Sequence, residues 1–187
     1  MPGSRSETVD SAPTCDRTAI PSPRARALFD WWSGLLAGRD MPVRGDFLAE
    51  ELVPWWPDLI LYDAVPSDGA SRFRFRVHGA NAVSSDGGNF TGRFLDEVMP
   101  AHLAEPILGC YRAVERRRLP LYSQGHWRSP QDYVVGFERL ILPFGAGNLE
   151  HALTFLVRHE SARGGRDGAG LAGPSPFIND MLAFVAP

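Results

Sequence analysis

The feature that most restricts the fold is a series of three alternating runs in the second half of the chain. The runs "LPLYSQGHWR", "YVVGFERLILPF" and "LEHALTFLVRHE" are separated by "SPQD" and "GAGN". Apolar residues at every second position are typical of β-strands, and short connections rich in Pro, Asp, Asn and Gly are typical of hairpins. The pattern therefore predicts a three-stranded antiparallel meander.

Two more strands are predicted earlier in the chain. The run "LILYDAV", from Leu59 to Val65, is followed by the turn sequence "PSDGAS" and by "RFRFRVH". In the second run Phe73 and Phe75 point one way with Val77, while the three arginines and His78 point the other way. This is the pattern of a half-buried strand with one solvated side.

Helices are predicted before and between these strands. The segment "RARALFDWWSGLLAG" has apolar residues at helical spacing, and Gly38 is a plausible end for it. A short helical turn is expected up to Met99, followed by a main helix over about 100–117 that contains Pro106. With 187 residues and 44% hydrophobic content, the chain is large enough for one core.

The two ends of the chain have a different composition from its middle. Residues 1–23 contain Ser, Pro, Thr and charged residues without periodicity, which predicts a disordered tail. Residues 161–187 are interpreted as a glycine-rich linker and a short apolar segment, "FINDMLAFV", with a length of about two helical turns. The folded domain is therefore expected to span residues 24–160.

Composition argues against several classes of function. A formal net charge of -3 disfavours charge-driven binding of nucleic acid, and no apolar run approaches the length of a membrane span. The two cysteines, Cys15 and Cys110, are far apart in sequence and indicate a reduced, cytoplasmic setting. The glycines from Gly79 to Gly92 match neither GxGxxG nor GxxxxGK[ST], so a phosphate-binding loop is not expected.

Four segments, "WWSGLLAGRDMPVRGDF", "RFRVHGANAV", "NFTGRFLDEV" and "FERLILPF", carry a resemblance to a known family. Together they resemble the PAS-like family of mostly alphaproteobacterial proteins once catalogued as a domain of unknown function. The resemblance covers about residues 28–159. Its motif positions are Trp32, Arg39, Pro42, Arg44, Arg76, Gly79, Thr91, Gly92, Glu138, Arg139 and Pro143.

The resemblance implies an α+β fold in which a five-stranded antiparallel sheet is flanked by helices, here with an additional N-terminal amphipathic helix. It also implies a cytoplasmic sensory or protein-interaction module without catalysis of its own, which binds a small ligand or a signalling partner protein. In such domains the ligand lies between the sheet and the long helix. The candidate ligand-binding residues are Arg76, Tyr111, Tyr122, Glu138 and Phe155.

No cofactor or metal is expected. Flavin-adduct members of the superfamily carry a cysteine in a Gly-x-Asn-Cys-Arg-Phe-Leu-Gln stretch, but the related segment "GGNFTGRFLDE" contains none. Haem-binding members use a histidine on the long helix. His102 is the only histidine there, and a solvated position in the first turn is favoured over iron ligation.

Two readings of Arg76 and Glu138 are compatible with the sequence. The favoured one is a structural salt bridge across the sheet, and the other is a polar hook in which Arg76 binds a carboxylate or phosphate ligand. The wide apolar stripe of the first helix also predicts a homodimer contact. The alternatives are a small-molecule enzyme with a ketosteroid-isomerase-like cone-shaped pocket and a purely structural dimerisation module.

Overall fold

A computed structural model describes residues 9–128, 134–161 and 178–187, and within these residues the protein forms one seven-stranded sheet. The strands are β1 (Thr14–Cys15), β2 (Leu59–Val65), β3 (Arg72–His78), β4 (Leu121–Arg128), β5 (Val134–Phe144), β6 (His151–Ser161) and β7 (Ile178–Val185). Their spatial order is β1-β7-β4-β5-β6-β2-β3. The helices are α1 (Pro23–Gly34), α2 (Ala80–Asp86), α3 (Leu95–Val98) and α4 (Ala101–Arg117).

The expected five-stranded antiparallel sheet of the PAS type is wrong. The sheet has seven strands, and it is mixed because β1 and β7 pair in parallel. The segment "FINDMLAFV" contains the whole of β7 instead of two helical turns, and this strand pairs antiparallel with β4. A short apolar run fits a helix or a buried strand equally well, and here the unpaired edge of β4 favours the strand.

The predicted meander is confirmed, because β4 pairs with β5 and β5 pairs with β6, both antiparallel. The "SPQD" turn and most of the glycine-rich linker, residues 162–177, lie outside the described residues. Strand β5 is buried on both faces from Phe137 to Phe144. Such a strand requires a layer of structure on each side of the sheet.

One face of the sheet is covered by α2, α3 and α4. Aromatic residues of β2 and β3 pack there against α4, with ring centroids of Tyr62 and Tyr111 5.0 Å apart and those of Phe73 and Tyr111 also 5.0 Å apart. We refer to this side of the sheet as the α4 face. Ile60, Leu121, Ile141, Ala152 and Phe184 contribute strand residues to the same buried cluster.

The other side, the α1 face, is covered by α1 and by three short 3-10 helices at Arg44–Asp46, Ala49–Leu52 and Trp56–Asp58. Ser22 caps α1 by accepting a hydrogen bond from the Ala25 amide, and Pro23 occupies the first turn. The buried Trp32 indole donates a hydrogen bond of 2.9 Å to the Pro143 carbonyl of β5. Motif residues Trp32 and Pro143 therefore join the helix to the sheet.

The apolar stripe of α1 is used within the chain. Leu28, Phe29 and Trp32 are buried against the sheet, and Trp31 packs edge-on against Phe47 with ring centroids 5.0 Å apart. The width of the stripe is thus explained by two intramolecular contacts, one with the sheet and one with the 3-10 segments. The predicted homodimer contact stays a prediction, but the width of the α1 stripe no longer supports it.

Residues 9–23 differ from the predicted disordered tail, of which residues 1–8 lie outside the described part. They form 3-10 helices at Val9–Ser11 and Arg17–Ala19 on either side of β1. The Ile20 side chain is fully buried under α1. Arg117 of α4 donates hydrogen bonds to the Ala12 carbonyl and the Thr14 hydroxyl. This segment has little apolar surface of its own but is ordered by contacts with distant elements.

A β-bulge changes the alternation of β3. Tyr62 pairs with Phe75 and Leu61 pairs with Val77, so Arg76 is an extra residue on β3 without an opposite partner in the β2 register. The extra residue reverses the direction of the next side chains. His78, predicted on the solvated side with the arginines, instead lies on the α4 face beside Phe75, with ring centroids 5.0 Å apart.

Gly79 follows the bulge and begins the turn into α2. A Cβ atom at this position would lie 2.6 Å from the carbonyl oxygens of both Trp56 and Pro57 and 2.7 Å from that of Leu59. No larger residue fits without a backbone shift. The glycine is therefore required for the close approach of α2 to the end of the third 3-10 helix, which fixes the start of the helix that carries Asp86.

Candidate functional site

A cavity of about 240 Å³ lies between the helices and the sheet on the α4 face. Its walls are mainly apolar and come from α2, α3, α4 and their connections on one side, and from β2, β4, β5 and β6 on the other. The described residues that line it are Tyr62, Ser85, Asp86, Phe90, Leu95, Val98, Met99, Pro100, Leu103, Ile107, Tyr111, Trp127, Phe137, Arg139, Leu156 and Arg158.

Two tyrosine hydroxyls lie among the buried residues of the cavity wall. The Tyr111 hydroxyl is 3.0 Å from the Thr154 hydroxyl, and the Tyr62 ring packs edge-on against the Tyr111 ring with centroids 5.0 Å apart. Burial raises the pKa of Tyr62 well above its usual range, and the neighbouring Tyr111 and Asp86 act in the same direction. Burial also raises the pKa of Tyr111. Both phenols therefore stay protonated at neutral pH and act as hydrogen-bond donors or acceptors.

A buried ionic group lies beside the tyrosines. Asp86, at the end of α2, accepts a hydrogen bond of 3.0 Å from His78 Nε2 and a salt bridge of 2.8 Å from Arg158. The Phe90 amide donates to His78 Nδ1 at 3.2 Å. Because Nδ1 accepts a hydrogen bond from the backbone amide, the ring proton lies on Nε2, which donates to Asp86. His78 thus joins the carboxylate to the loop that carries Phe90.

Arg139 is the second cation of the cavity wall. Its side chain is buried on β5, where Nε donates to the Ser123 hydroxyl at 3.2 Å and a terminal nitrogen lies 3.0 Å from Cys110 Sγ. The guanidinium carbon also lies 5.6 Å from the centroid of the Phe137 ring. These neighbours hold the guanidinium group in one orientation beside the cavity.

The structure separates the predicted ligand-binding residues. Tyr111 lines the cavity, whereas Tyr122, Glu138 and Phe155 lie on the α1 face. The Tyr122 hydroxyl donates to Glu138 at 3.1 Å, and burial together with that carboxylate raises the pKa of Tyr122. The Phe155 ring packs under the Arg24 guanidinium at 5.3 Å. These three residues belong to the packed layer under α1 and not to the cavity.

Arg76 lies on the surface and does not pair with Glu138. Its guanidinium is 3.3 Å from Asp63, which also binds Arg74 at 3.0 Å and His151 at 3.1 Å. Burial alone would raise the pKa of Asp63, but hydrogen bonds from Arg74 and Arg76 and the charges of Arg76 and His151 lower it below its usual value. The predicted salt bridge across the sheet is therefore wrong in its partner, since Asp63 takes the place of Glu138.

Sequence reasoning missed Tyr62, Asp86, Arg139 and Arg158. Arg139 follows Glu138 directly, and alternation along β5 sends the two side chains to opposite faces. Arg158 shares its side of β6 with Ala152, Thr154 and Leu156. A usable signal was present, because "RLILPF" and "ALTFLV" are apolar at consecutive positions, which indicates burial on both faces. Polar residues on either face of such strands are therefore candidates for a buried site.

Within the described part of the chain, no group of three or more His, Cys, Asp or Glu side chains has the arrangement of a metal site. A search of the same residues found no helix with the length and apolar character needed to cross a membrane. The side chain of His102, considered above as an iron ligand, lies outside the described residues.

Comparisons with models of protein families, with curated proteins and with solved structures found no match for this chain.

Proposed function

We propose that this protein is a sensory module that binds a small organic molecule in the cavity of the α4 face and has no catalysis of its own. The observation that carries the proposal is the composition of the cavity wall. Leu103 and Ile107 contribute apolar surface, Tyr62 and Arg139 contribute polar groups at buried positions, and Arg158 contributes one at a half-buried position. Apolar walls with a few oriented polar groups are characteristic of small-molecule sites.

The placement of the cavity supports a role in signalling. Much of its wall is formed by α2, α3 and α4 and by their connections, and the rest by the sheet. A ligand between the two layers would contact both the short helices and the sheet. Binding would therefore change the stability of the helical layer relative to the sheet, which is a signal that a partner protein can read. We therefore propose a signalling partner protein that contacts this helical layer.

The ionic group supports binding over the enzyme alternative. A ketosteroid-isomerase-like reaction requires a carboxylate that is available to take a proton from the substrate. Asp86 faces the cavity, but Arg158 binds Oδ1 at 2.8 Å and His78 binds Oδ2 at 3.0 Å. Both carboxylate oxygens are therefore already engaged as acceptors. This arrangement favours a fixed polar wall over a general base.

We further propose a cytoplasmic location. Cys15 and Cys110 are both free, and Cys110 is fully buried beside Arg139. Free thiols are typical of proteins that work in a reducing compartment.

A fragment screen tests the proposed function. Compounds that raise the melting temperature of the natural protein are tested again on Leu103→Trp, in which the larger side chain fills the cavity. Val53→Trp is the matched control, because Val53 is 63% exposed and the new ring projects into solvent. We expect compounds that stabilise the natural protein and the control but not Leu103→Trp.

Two outcomes would contradict the proposal. One is the absence of any compound whose effect depends on Leu103. The other is turnover of a bound compound, measured by mass spectrometry of the recovered ligand, which would favour the enzyme alternative.

A further inference from the structure

We infer that the ligand of the α4-face cavity is an uncharged, mainly apolar molecule with a flat ring, about the size of a substituted benzene or an indole. The inference rests on the proposed function and adds the chemical class of the ligand. It follows from the wall residues that leave surface for a ligand, from the pairing of the charged groups, and from the size of the cavity.

The surface that a ligand can touch in the cavity is mainly apolar. Tyr62, Tyr111 and Arg139 line the cavity, but each is buried, so protein atoms already cover nearly all of its surface. Several apolar lining residues are covered less completely. Among these half-buried residues are Phe90, Val98, Met99, Leu103, Ile107 and Leu156. A ligand in this space therefore gains most of its contact area from apolar side chains.

The charged groups of the wall are engaged within the protein. Asp86 has a hydrogen bond of 3.0 Å from His78 and a salt bridge of 2.8 Å from Arg158. Arg139 donates to the Ser123 hydroxyl and is only 3% exposed. A charged ligand would lose its hydration on entering the cavity and would have to compete with these contacts, which costs free energy. An uncharged ligand avoids both costs.

The ion pair of Asp86 and Arg158 also weakens any preference for one sign of charge at its end of the cavity. The two side chains are 7% and 15% exposed, and their charged atoms are 2.8 Å apart. A carboxylate that approaches Arg158 therefore also approaches Asp86, and an ammonium group that approaches Asp86 also approaches Arg158. In each case attraction to one group is opposed by repulsion from the other.

The aromatic residues of the wall favour a flat ring. Phe90 and Trp127 are half-buried lining residues, and the rings of Trp127 and Phe137 pack with their centroids 5.9 Å apart. Aromatic rings are stabilised by edge-to-face or offset contacts with another ring, and the thioether of a methionine such as Met99 makes favourable contacts with ring edges. A saturated ring of similar size gains apolar contacts but not these.

The volume of the cavity sets the size of the ligand. An apolar cavity of roughly 150 Å³ is known to hold one benzene molecule. The α4-face cavity is larger, at about 240 Å³, so it has room for a substituent or a second fused ring. Acetophenone, a benzene ring with a short uncharged side group, is therefore a suitable probe.

The test compares three probes of nearly identical shape by NMR titration of the protein at pH 7. Acetophenone is uncharged, benzoate carries a negative charge and benzamidinium carries a positive charge. We expect acetophenone to bind at least about ten-fold more tightly than either ion. Cyclohexyl methyl ketone, which has a saturated ring, should bind more weakly than acetophenone. Binding of acetophenone should be lost in Leu103→Trp and kept in Val53→Trp.

Substitutions in the ion pair test the reason for the discrimination. Asp86→Asn leaves Arg158 without its counter-ion, so the affinity for benzoate should rise relative to acetophenone. Arg158→Gln leaves the Asp86 carboxylate with His78 alone, so the affinity for benzamidinium should rise instead. Circular dichroism checks that each variant folds. If neither variant folds, the comparison of the probes on the natural protein decides the matter.

The outcomes separate this inference from the proposed function. Binding of either ion as tight as that of acetophenone, and lost in Leu103→Trp, would overturn the uncharged class but leave a ligand-binding cavity. Equal affinity for acetophenone and its saturated counterpart would overturn the flat ring. Folded ion-pair variants with an unchanged preference among the three probes would overturn the argument from pairing.

Two further outcomes concern acetophenone itself. Binding that persists unchanged in Leu103→Trp would place the probe elsewhere and overturn the inference. Absence of acetophenone binding overturns it too, and the fragment screen then judges the proposed function alone.

Discussion

The sheet has a packed face under α1 and an incompletely filled face under α4. Under α1, a helix of 12 residues places Trp32 and Phe29 into the core, and Phe47 and Phe144 close the space beside them, with ring centroids 5.3 Å apart. Under α4, the neighbouring helices α2 and α3 have only 7 and 4 residues. A cavity of about 240 Å³ remains between them and the sheet.

The same strands therefore supply two different kinds of surface. Polar residues on the α1 face pair with each other, as Tyr122 does with Glu138 at 3.1 Å. On the α4 face Arg139, Tyr62 and Asp86 also have partners, yet they border open space. A fully packed layer stabilises the fold, and an incompletely packed layer leaves room for a ligand. The comparison indicates that stability and recognition are divided between the two faces.

The largest effect is expected from breaking the packed face. Trp32→Ala removes a fully buried ring and its hydrogen bond to the Pro143 carbonyl. We expect the free energy of unfolding to fall by about 3 to 5 kcal/mol, the usual cost of truncating a large buried aromatic residue. Urea unfolding followed by circular dichroism measures it. A loss below about 1 kcal/mol would mean that the α1 face is not a packed core.

A pair of enlarging substitutions sharpens the comparison. Leu28→Phe adds volume to the fully buried α1 face and should cost about 1 to 3 kcal/mol through overpacking. Ile107→Phe adds similar volume beside the cavity and should be neutral or stabilise by up to about 1 kcal/mol. The same unfolding assay serves for both. Equal losses in the two variants would show that the cavity is not available to side chains.

The smallest effect is expected at the surface, where Arg76 binds Asp63. Arg76 has a side chain that is 56% exposed, so Arg76→Ala should lower the free energy of unfolding by only about 0 to 1 kcal/mol. The pKa of Asp63 is lowered in the folded state, so its contribution is present above its unfolded pKa and lost as pH falls through the folded pKa. The difference between the natural protein and Arg76→Ala should therefore disappear in acid.

Unfolding of both proteins over a pH series from 7 downwards measures this difference. Glu138→Ala is measured at pH 7 for comparison. It should lower the free energy of unfolding more than Arg76→Ala does, because it removes the buried acceptor of the Tyr122 hydroxyl. A loss that is large in Arg76→Ala and unchanged in acid would contradict an exposed pair with Asp63.

Individual elements were predictable where local pattern decides them. The bounds of β2 at Leu59 and Val65 and the helix up to Arg117 match the sequence-based expectation, because alternation and helical spacing are local properties. His78 was not predictable in the same way. Its direction depends on a bulge at Arg76, and a bulge is set by the partner strand and not by the residues that form it.

The candidate site was predictable only in part. Tyr111, which lies on the apolar stripe of α4, lines the cavity, while Glu138 was preferred to Arg139 although of the two only Arg139 reaches the cavity. Adjacent residues of a strand point to opposite faces, and the sequence does not show which face will be left open. That depends on the lengths of α2 and α3 and on how they pack, which are properties of the assembled fold.

The strand order also determines the sequence in which the strands can pair during synthesis. Strand β4 lies between β5, which begins at Val134, and β7, which begins at Ile178. During synthesis the meander can form first, but one edge of β4 stays open until β7 leaves the ribosome. Thr14 of β1 stays unpaired for longer still, because it is synthesised early and its partner Phe184 lies in β7. Pairings between distant residues form slowly, and an open strand edge attracts other chains. A nascent chain of this protein is thus most prone to aggregate in the interval after β4 has emerged from the ribosome and before β7 has.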